Sequence, residues 1–204
     1  MSTPERYAPI AESLADPGWC ILPQFLSAQQ VDALAAECRT AWNERAFRPA
    51  GVGSGDGWHL RPEVRGDHVL WLDQSDASPA QKDYLIQLES LRLAINSELY
   101  LGLFEFEGHL TVYPPGAFYR RHLDQFRAVA YRKVSCILYL NSEWRAEDGG
   151  ALRLYTDPSD ETFYQDVYPE GGTLVCFLSN LIHHEVLPAA RERMSLTGWF
   201  RTRD

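Results

Sequence analysis

Two features that direct proteins to or across a membrane are missing from this sequence. No stretch of about 18 apolar residues occurs, so no transmembrane helix is expected. The first nine residues contain Glu5, Arg6 and prolines where a signal peptide needs a continuous apolar run. We therefore predict a cytoplasmic protein that has no membrane partner.

Closely spaced cysteines are missing as well. The four cysteines form no Cys-x-x-Cys pair; they are Cys20, Cys38, Cys136 and Cys176. Zinc held by cysteine is therefore not expected, and free thiols in a reducing compartment are predicted.

The chain also lacks a basic segment. It has 19 lysines and arginines against 28 acidic residues, which gives a formal net charge of −9. Because phosphate neutralisation needs clustered basic side chains, nucleic acid is not an expected partner. No repeat or low-complexity segment divides the 204 residues, so the chain is predicted to be one domain spanning 1–204.

The first hundred residues show the spacing of helices. One apolar stripe follows the N-cap residue Ser27, and its members are Val31, Leu34, Ala35, Cys38 and Trp42. A second stripe follows Ser78-Pro79, and its members are Leu85, Leu88, Leu91 and Ile95. Both indicate helices that face a core. The glycine-rich segment 49–64 between them predicts a flexible loop, either a functional segment or a plain connector.

From His109 onward the pattern changes to short strands separated by Gly and Pro turns. The predicted strands are 109–113, 133–140, 151–155, 163–168, 173–178 and 193–200. In the second and last of these, polar residues share one face with apolar ones, which suits a barrel lined by a ligand pocket. We therefore predict an α+β fold in which helices from 1–100 pack on a β-barrel or a double-sheet jelly-roll core over 101–204.

His122 and Asp124 are the first candidates for chemistry. In extended chain, residues two apart point the same way, so this imidazole and this carboxylate could share one ion. A surface histidine beside an aspartate is the plain alternative.

The adjacent histidines His183 and His184 come after an apolar strand, and Arg193 lies nine residues beyond the second of them. In extended chain the two histidines face opposite sides, so only one could reach a given ion. A histidine pair at a pocket rim is the plain alternative. Arg193 falls on the polar face of the last strand, where burial requires an anionic partner, either a ligand or a structural carboxylate.

Taken together, these residues offer two imidazoles, one carboxylate and one guanidinium. Two histidines and a carboxylate on one face of a metal suit non-haem Fe(II) and leave positions open. The planar guanidinium matches a carboxylate. The combination indicates a metal and a dicarboxylic acid.

These motifs resemble the Fe(II)- and 2-oxoglutarate-dependent oxygenases, and within them the prolyl hydroxylases related to the animal oxygen-sensing enzymes. The similarity covers residues 65–200. It rests on Arg65-Gly66-Asp67, Trp71, Tyr113-Pro114, Tyr119-Arg-Arg-His122-Leu-Asp124, Tyr139-Leu-Asn141, Trp144, Gly149-Gly150-Ala-Leu-Arg153, His184-Glu-Val-x-Pro188, Arg193 and Trp199.

The resemblance implies roles for individual residues. His122, Asp124 and His184 would ligate iron, and His184 is preferred to His183 because it precedes Glu-Val and lies nine residues before Arg193. Arg193 would bind the far carboxylate of 2-oxoglutarate. The implied cofactor-pocket residues are Tyr139, Tyr113, Ser135, Leu152, Val186 and Trp199. Ser135 stands where the animal enzymes usually have threonine, and the hydroxyl is kept. The implied substrate-binding residues are Trp58, Arg65, Asp67 and Arg121.

The implied activity is a dioxygenase that uses Fe(II), 2-oxoglutarate and O2, with ascorbate as an accessory reductant. It would hydroxylate a prolyl residue and release succinate and CO2. The short chain resembles the compact bacterial form, for which the expected partner is elongation factor Tu.

Several alternatives stay open at this stage. A zinc hydrolase also uses two histidines and a carboxylate, although it has no role for Arg193. A nucleic-acid demethylase usually has a second arginine where Trp199 stands, and a collagen-type hydroxylase usually has lysine in place of Arg193. A non-catalytic binding module would be expected to have lost a ligand. Free proline or another small molecule is the competing substrate.

Overall fold

Three helices precede most of the strands in the computed structural model, which describes residues 3–53, 57–125 and 130–203. They are α1 (Thr3–Ala15), α2 (Ala28–Asn43) and α3 (Pro79–Leu99). Ser27 caps α2 in a reciprocal capping box with Gln30, and the Ser78 hydroxyl accepts from the Gln81 amide at the start of α3. No helix within these described ranges is both long and apolar enough to cross a membrane.

Seven strands form a major sheet in the order β1-β9-β6-β11-β4-β3-β2. Their bounds are β1 Trp19–Leu22, β2 Arg48–Pro49, β3 His68–Trp71, β4 Glu105–Tyr113, β6 Arg132–Tyr139, β9 Leu174–Leu178 and β11 Arg193–Arg201. All pairings are antiparallel, and β11 lies between β4 and β6 with Arg193 opposite Tyr113 and Ser195 opposite Tyr139.

Four strands form a minor sheet in the order β5-β10-β7-β8. Their bounds are β5 Tyr119–His122, β7 Leu152–Tyr155, β8 Tyr164–Val167 and β10 His184–Val186. The two antiparallel sheets are those of a double-stranded β-helix, which is the jelly roll and not the barrel among the two architectures predicted from the strands.

Two apolar cores separate three layers. The larger core joins the helices to one face of the major sheet through side chains such as Leu34, Leu91 and Leu196. The smaller core lies between the sheets and includes Ile137, Leu152 and Phe177. Strand alternation therefore points β11 residues Met194 and Leu196 at the helices, while Arg193 and Ser195 point at the minor sheet.

The predicted helices and strands are found with small shifts of their ends. Leu88, Leu91 and Ile95 are buried on α3, whereas Leu85 is half-buried and Tyr84 is completely buried in the same core. The first hundred residues also supply α1 and the strands β1 to β3, which the sequence pattern did not predict.

Candidate active site

Two neighbouring strands of the minor sheet bring the predicted metal ligands together. His122 ends β5 and pairs with His184, which begins β10, and Asp124 follows two residues after β5. Oδ1 of Asp124 lies 3.5 Å from Nε2 of His122 and 3.7 Å from Nε2 of His184. One ligand atom from each residue falls within 4.8 Å of the other two. The three side chains therefore converge on a space that one ion could share.

The histidines are oriented by their second ring nitrogens. Nδ1 of His122 lies 2.8 Å from the Arg120 carbonyl, and Nδ1 of His184 lies 3.1 Å from the Ile182 carbonyl. Because a carbonyl can only accept, both Nδ1 atoms donate, and the Nε2 atoms that face Asp124 are left as acceptors. Metal-binding histidines usually donate in this way, from the ring nitrogen that does not bind the metal to a carbonyl or carboxylate oxygen.

Asp124 is held on its other oxygen. The Ser135 hydroxyl donates to Oδ2 at 2.6 Å, and Ser135 Oγ lies 2.9 Å from Ser179 Oγ, with both serines fully buried. Burial alone opposes ionisation of Asp124, but the electrostatic effect of the nearby His184 and His122 and the hydrogen bond from Ser135 outweigh it and lower the pKa of the carboxyl. Asp124 is therefore a carboxylate at neutral pH.

His184 is neutral at the same pH. Burial, reinforced by the neighbouring His122, lowers its pKa to about 4. Neutral imidazole nitrogen and ionised carboxylate are the forms that bind divalent iron or zinc, so the residues fit a metal ion with two nitrogen donors and one oxygen donor.

Ser135→Ala is expected to weaken metal binding by roughly tenfold, because it removes the hydrogen bond that fixes Asp124. Ser135→Thr keeps the hydroxyl and should stay close to the parent protein. Isothermal titration with Mn(II) measures both affinities. Equal affinities for the alanine and threonine variants would contradict the orienting role of Ser135.

Arg193 lies deep in the same cavity on the major sheet. Its side chain is 1% exposed, and its guanidinium carbon lies 5.2 and 5.0 Å from the ring centroids of Tyr113 and Tyr139. Nε donates to the Gly150 carbonyl at 2.9 Å. Gly150 has φ +69°, and an added Cβ would lie 2.8 Å from Cβ of Ala189 and 3.4 Å from Cδ of Arg193, so only glycine fits there.

Two buried polar atoms at this end of the cavity are unsatisfied. Nη2 of Arg193 and the hydroxyl of Tyr139 have no hydrogen-bond partner among the described residues. Burial raises the pKa of Tyr139 to about 12, against the opposing effect of Arg193, so its hydroxyl is a donor at neutral pH. A buried cation and a buried donor without acceptors match a carboxylate, and the far carboxylate of 2-oxoglutarate fits.

The metal-binding and guanidinium ends belong to one cavity of about 690 Å³. Most of the residues implied by the resemblance line it: Trp58, Arg65, Asp67, Tyr113, His122, Asp124, Leu152, His184, Val186, Arg193 and Trp199. Ser135 and Tyr139 lie directly behind it, where they touch Asp124 and face Arg193.

The predicted substrate residues are distributed differently. Arg65 and Asp67 lie in the cavity wall and bind each other through two hydrogen bonds. Trp58 is half exposed, and its indole covers Gly51, where a Cβ would come within 2.2 Å of the ring. Arg121 is outside the cavity lining, where it pairs with Glu161 and covers the Tyr155 ring.

Part of the predicted 49–64 loop forms backbone hydrogen bonds of the β-sheet type. Pro49 belongs to β2, and Val52 and His59 exchange backbone hydrogen bonds of 2.9 Å. Residues 54–56 at its centre lie outside the described residues.

Sequence reasoning assigned no role to two polar residues of the cavity wall, His109 and Thr111. His109 Nδ1 lies 2.9 Å from the Thr111 hydroxyl, and burial, with smaller contributions from nearby charges, lowers the His109 pKa to about 4. Along β4 they alternate with the core residues Leu110 and Val112. Ser195 and Thr197 alternate in the same way with Met194 and Leu196 along β11. The polar face of 109–113 was the signal that could have found them.

Comparison with known proteins agrees with the geometry. Residues 108–201 match the model of the 2OG-Fe(II) oxygenase superfamily. The crystal structure of a Pseudomonas putida prolyl-4-hydroxylase superposes with a TM-score of 0.86 at 47% identity, covering 97% of this chain and all of that one.

Curated relatives cover most of this chain. The hypoxia-inducible factor prolyl hydroxylase of Caenorhabditis elegans is 28% identical over 202 residues, and prolyl hydroxylase EGLN3 of Mus musculus is 28% identical over 197 residues. Each alignment covers 94% of this chain, which spans 27% of the C. elegans protein and 81% of the mouse protein. On this similarity, the chain belongs to the 2OG-Fe(II) oxygenase superfamily, among its prolyl hydroxylases.

Proposed function

We propose that this chain is an Fe(II)- and 2-oxoglutarate-dependent dioxygenase that hydroxylates a prolyl residue in a protein. The observation that supports this best is the pair of unsatisfied polar atoms, Nη2 of Arg193 and the Tyr139 hydroxyl, at one end of the cavity whose lining contains the His122–Asp124–His184 cluster. A zinc hydrolase would have no use for the buried guanidinium, and a binding module without catalysis would have no need for three intact ligands.

The side chains divide the work between two ends of the cavity. His122, Asp124 and His184 would hold Fe(II) by three donors on one side and leave its other positions accessible. Arg193 and Tyr139 would fix the far carboxylate of 2-oxoglutarate and so orient its 2-oxo acid end towards those positions. Iron with the bound cosubstrate supplies the oxidising chemistry, in which O2 converts 2-oxoglutarate to succinate and CO2 and hydroxylates a C–H bond.

The remaining cavity wall would receive the substrate, and we place Trp199, which the resemblance implies for the cofactor pocket, in this wall instead. Trp71 and Trp199 flank His109, with ring centroids 4.8 and 5.6 Å from the imidazole, and Arg132 covers Trp199 at 3.6 Å. Apolar and aromatic surfaces of this kind suit a proline ring. The half-exposed Trp58 supplies an aromatic anchor at the wall that a free amino acid would not need, which favours a polypeptide substrate.

We further propose elongation factor Tu as the protein partner and the cytoplasm as the site of action. A protein partner is supported by the similarity to the Pseudomonas putida prolyl-4-hydroxylase over its full length and to the C. elegans hypoxia-inducible factor prolyl hydroxylase, whose name describes hydroxylation of a protein. The four cysteines are free, which suits a reducing compartment.

The test is to incubate the enzyme with Fe(II), ascorbate, 2-oxoglutarate and elongation factor Tu and to map hydroxyproline by mass spectrometry. We expect one prolyl residue to gain one oxygen atom. Trp58→Ala should raise the KM for the protein by about tenfold and leave the 2-oxoglutarate requirement unchanged. Tyr168→Ala, which removes an exposed ring outside the cavity lining, is the matched control. Unmodified elongation factor Tu alongside efficient conversion of free proline would overturn the protein-substrate proposal.

A further inference from the structure

The face of the His122 imidazole is covered by an aromatic ring. Tyr119 stacks on it with the ring centroids 3.6 Å apart and the planes 17° from parallel. The guanidinium carbon of Arg65 lies 4.1 Å from the centroid of the same tyrosine ring. A metal ligand is thus in contact with an aromatic ring that is itself in contact with a cation.

Arg65 is fixed in turn. Its Nε and Nη2 donate to the two oxygens of Asp67 at 2.7 and 2.6 Å, and Asp67 is 1% exposed. A two-point hydrogen bond to a buried carboxylate leaves the guanidinium little freedom to turn. Burial lowers the pKa of Arg65, but the hydrogen bond and charge of Asp67 outweigh this and hold it above the ordinary value, so the guanidinium stays charged.

Backbone contacts attach this pair to β5. The Gly66 amide donates to the Phe118 carbonyl, and the Arg120 amide donates to the Val64 carbonyl, both at 2.9 Å. Residues 64–67 therefore run beside the start of β5, whose last residue is His122.

The two histidine ligands differ in how they are held. His184 has 4% of its side chain exposed and lies against the Phe177 ring at 4.6 Å. His122 has 16% of its side chain exposed and projects from an edge strand of the minor sheet. One hydrogen bond at Nδ1 fixes the tautomer of His122 but leaves the plane of its ring free to tilt, and stacking restricts that tilt.

We propose that Asp67, Arg65 and Tyr119 form a positioning column that holds the His122 imidazole in the plane required for metal binding. This inference rests on the proposed function, because it takes the His122–Asp124–His184 cluster as the metal site. In this proposal Arg65 and Asp67 position a metal ligand and do not bind substrate. The Arg65 guanidinium already binds Asp67 and contacts Tyr119, so it is poorly placed to contact a substrate.

Mn(II) titration of the metal-free full-length protein, followed by electron paramagnetic resonance, tests the column without relying on activity. Tyr119→Leu should bind Mn(II) roughly tenfold more weakly, and Arg65→Met roughly threefold to tenfold more weakly. Tyr119→Phe retains the ring and should restore both the affinity and the spectrum of bound Mn(II). If Tyr119 only supported the fold, the spectrum of bound Mn(II) would not change in Tyr119→Leu and return to that of the parent protein in Tyr119→Phe.

The neighbouring pair Phe118 and Arg120 provides matched controls. Arg120 lies 5.6 Å from the Phe118 ring in the same kind of contact. Phe118→Leu and Arg120→Met should leave Mn(II) affinity unchanged.

Three outcomes would overturn the column. Equal Mn(II) affinities for Tyr119→Leu and Phe118→Leu would do so. If Tyr119→Leu does not fold, Arg65→Met decides: unchanged Mn(II) affinity with a raised KM for the protein substrate would assign Arg65 to substrate binding instead. A wild-type protein that binds no Mn(II) would contradict the metal site itself, and the column with it.

Discussion

Asp124→Ala is expected to lose both metal binding and 2-oxoglutarate turnover while keeping the fold. The substitution removes the only carboxylate of the three-residue cluster that the described chain presents, and two histidines alone bind divalent iron weakly. Because the lowered pKa of Asp124 means that the folded protein stabilises its carboxylate, the metal-free variant should lose some stability but remain folded. Metal content by elemental analysis and thermal unfolding of the metal-free protein separate the two effects.

The adjacent histidines provide the sharpest control for this cluster. His184 faces Asp124, whereas His183 is outside the cluster and has an unpartnered Nδ1 among the described residues. His184→Ala should therefore be inactive and His183→Ala active with normal metal content. The reverse result would show that the ligand assignment is wrong by one residue.

Arg193→Ala is expected to raise the 2-oxoglutarate requirement by roughly tenfold to a hundredfold. A charge-assisted hydrogen bond contributes about 1.5–3 kcal/mol, and each 1.4 kcal/mol is about tenfold in affinity. Arg193→Lys keeps the charge but loses the planar fork, so an intermediate requirement is expected. The quantity to measure is the KM for 2-oxoglutarate, with circular dichroism to check that the buried truncation folds.

Arg191 is the matched control for Arg193. Its side chain is 41% exposed, and it pairs with Asp148 and covers the Trp144 ring at 4.3 Å, away from the cavity lining. Arg191→Ala should leave the 2-oxoglutarate KM unchanged. An unchanged KM in Arg193→Ala would remove Arg193 from the cosubstrate site.

The regular elements with strong patterns were predictable from the sequence. Alternation along β6 and β11 identified the face that lines the cavity, and this face is where Ser195 and Arg193 lie. The apolar stripe after Ser78-Pro79 predicted the start of α3 within one residue. In these segments the secondary structure that the local residue pattern favours is also the one that buries the apolar side chains in the core.

Elements that depend on distant partners could not be predicted in this way. β5 reads Tyr-Arg-Arg-His, without alternation of apolar residues, and it is a strand because β10 pairs with it. β1 and β3 have only four residues each and gain their order from β9 and β4. The pairing that places His122 beside His184 joins residues far apart in the chain, so spacing alone could not show it.

The sequence indicated which residues form the candidate site, but it did not indicate which of their side chains are in contact. The metal cluster and Arg193 follow from the chemistry that their groups require, and the family resemblance chose between the histidines. Tyr119 belonged to the resembling motif without a role, because ring stacking on His122 is a property of the folded strand. Ser179 gave no signal in the sequence, since its contact with Ser135 depends on the pairing of β6 with β9.

The most direct test of the central claim is the conversion of 2-oxoglutarate to succinate by the Fe(II)-loaded protein under 18O2 in the presence of a bacterial protein extract. We predict one labelled oxygen atom in succinate and one in hydroxyproline of a protein, with neither product formed by Asp124→Ala. Failure of the folded, iron-loaded protein to form labelled succinate, or an equal rate from Asp124→Ala, would contradict the assignment as a 2-oxoglutarate-dependent prolyl hydroxylase.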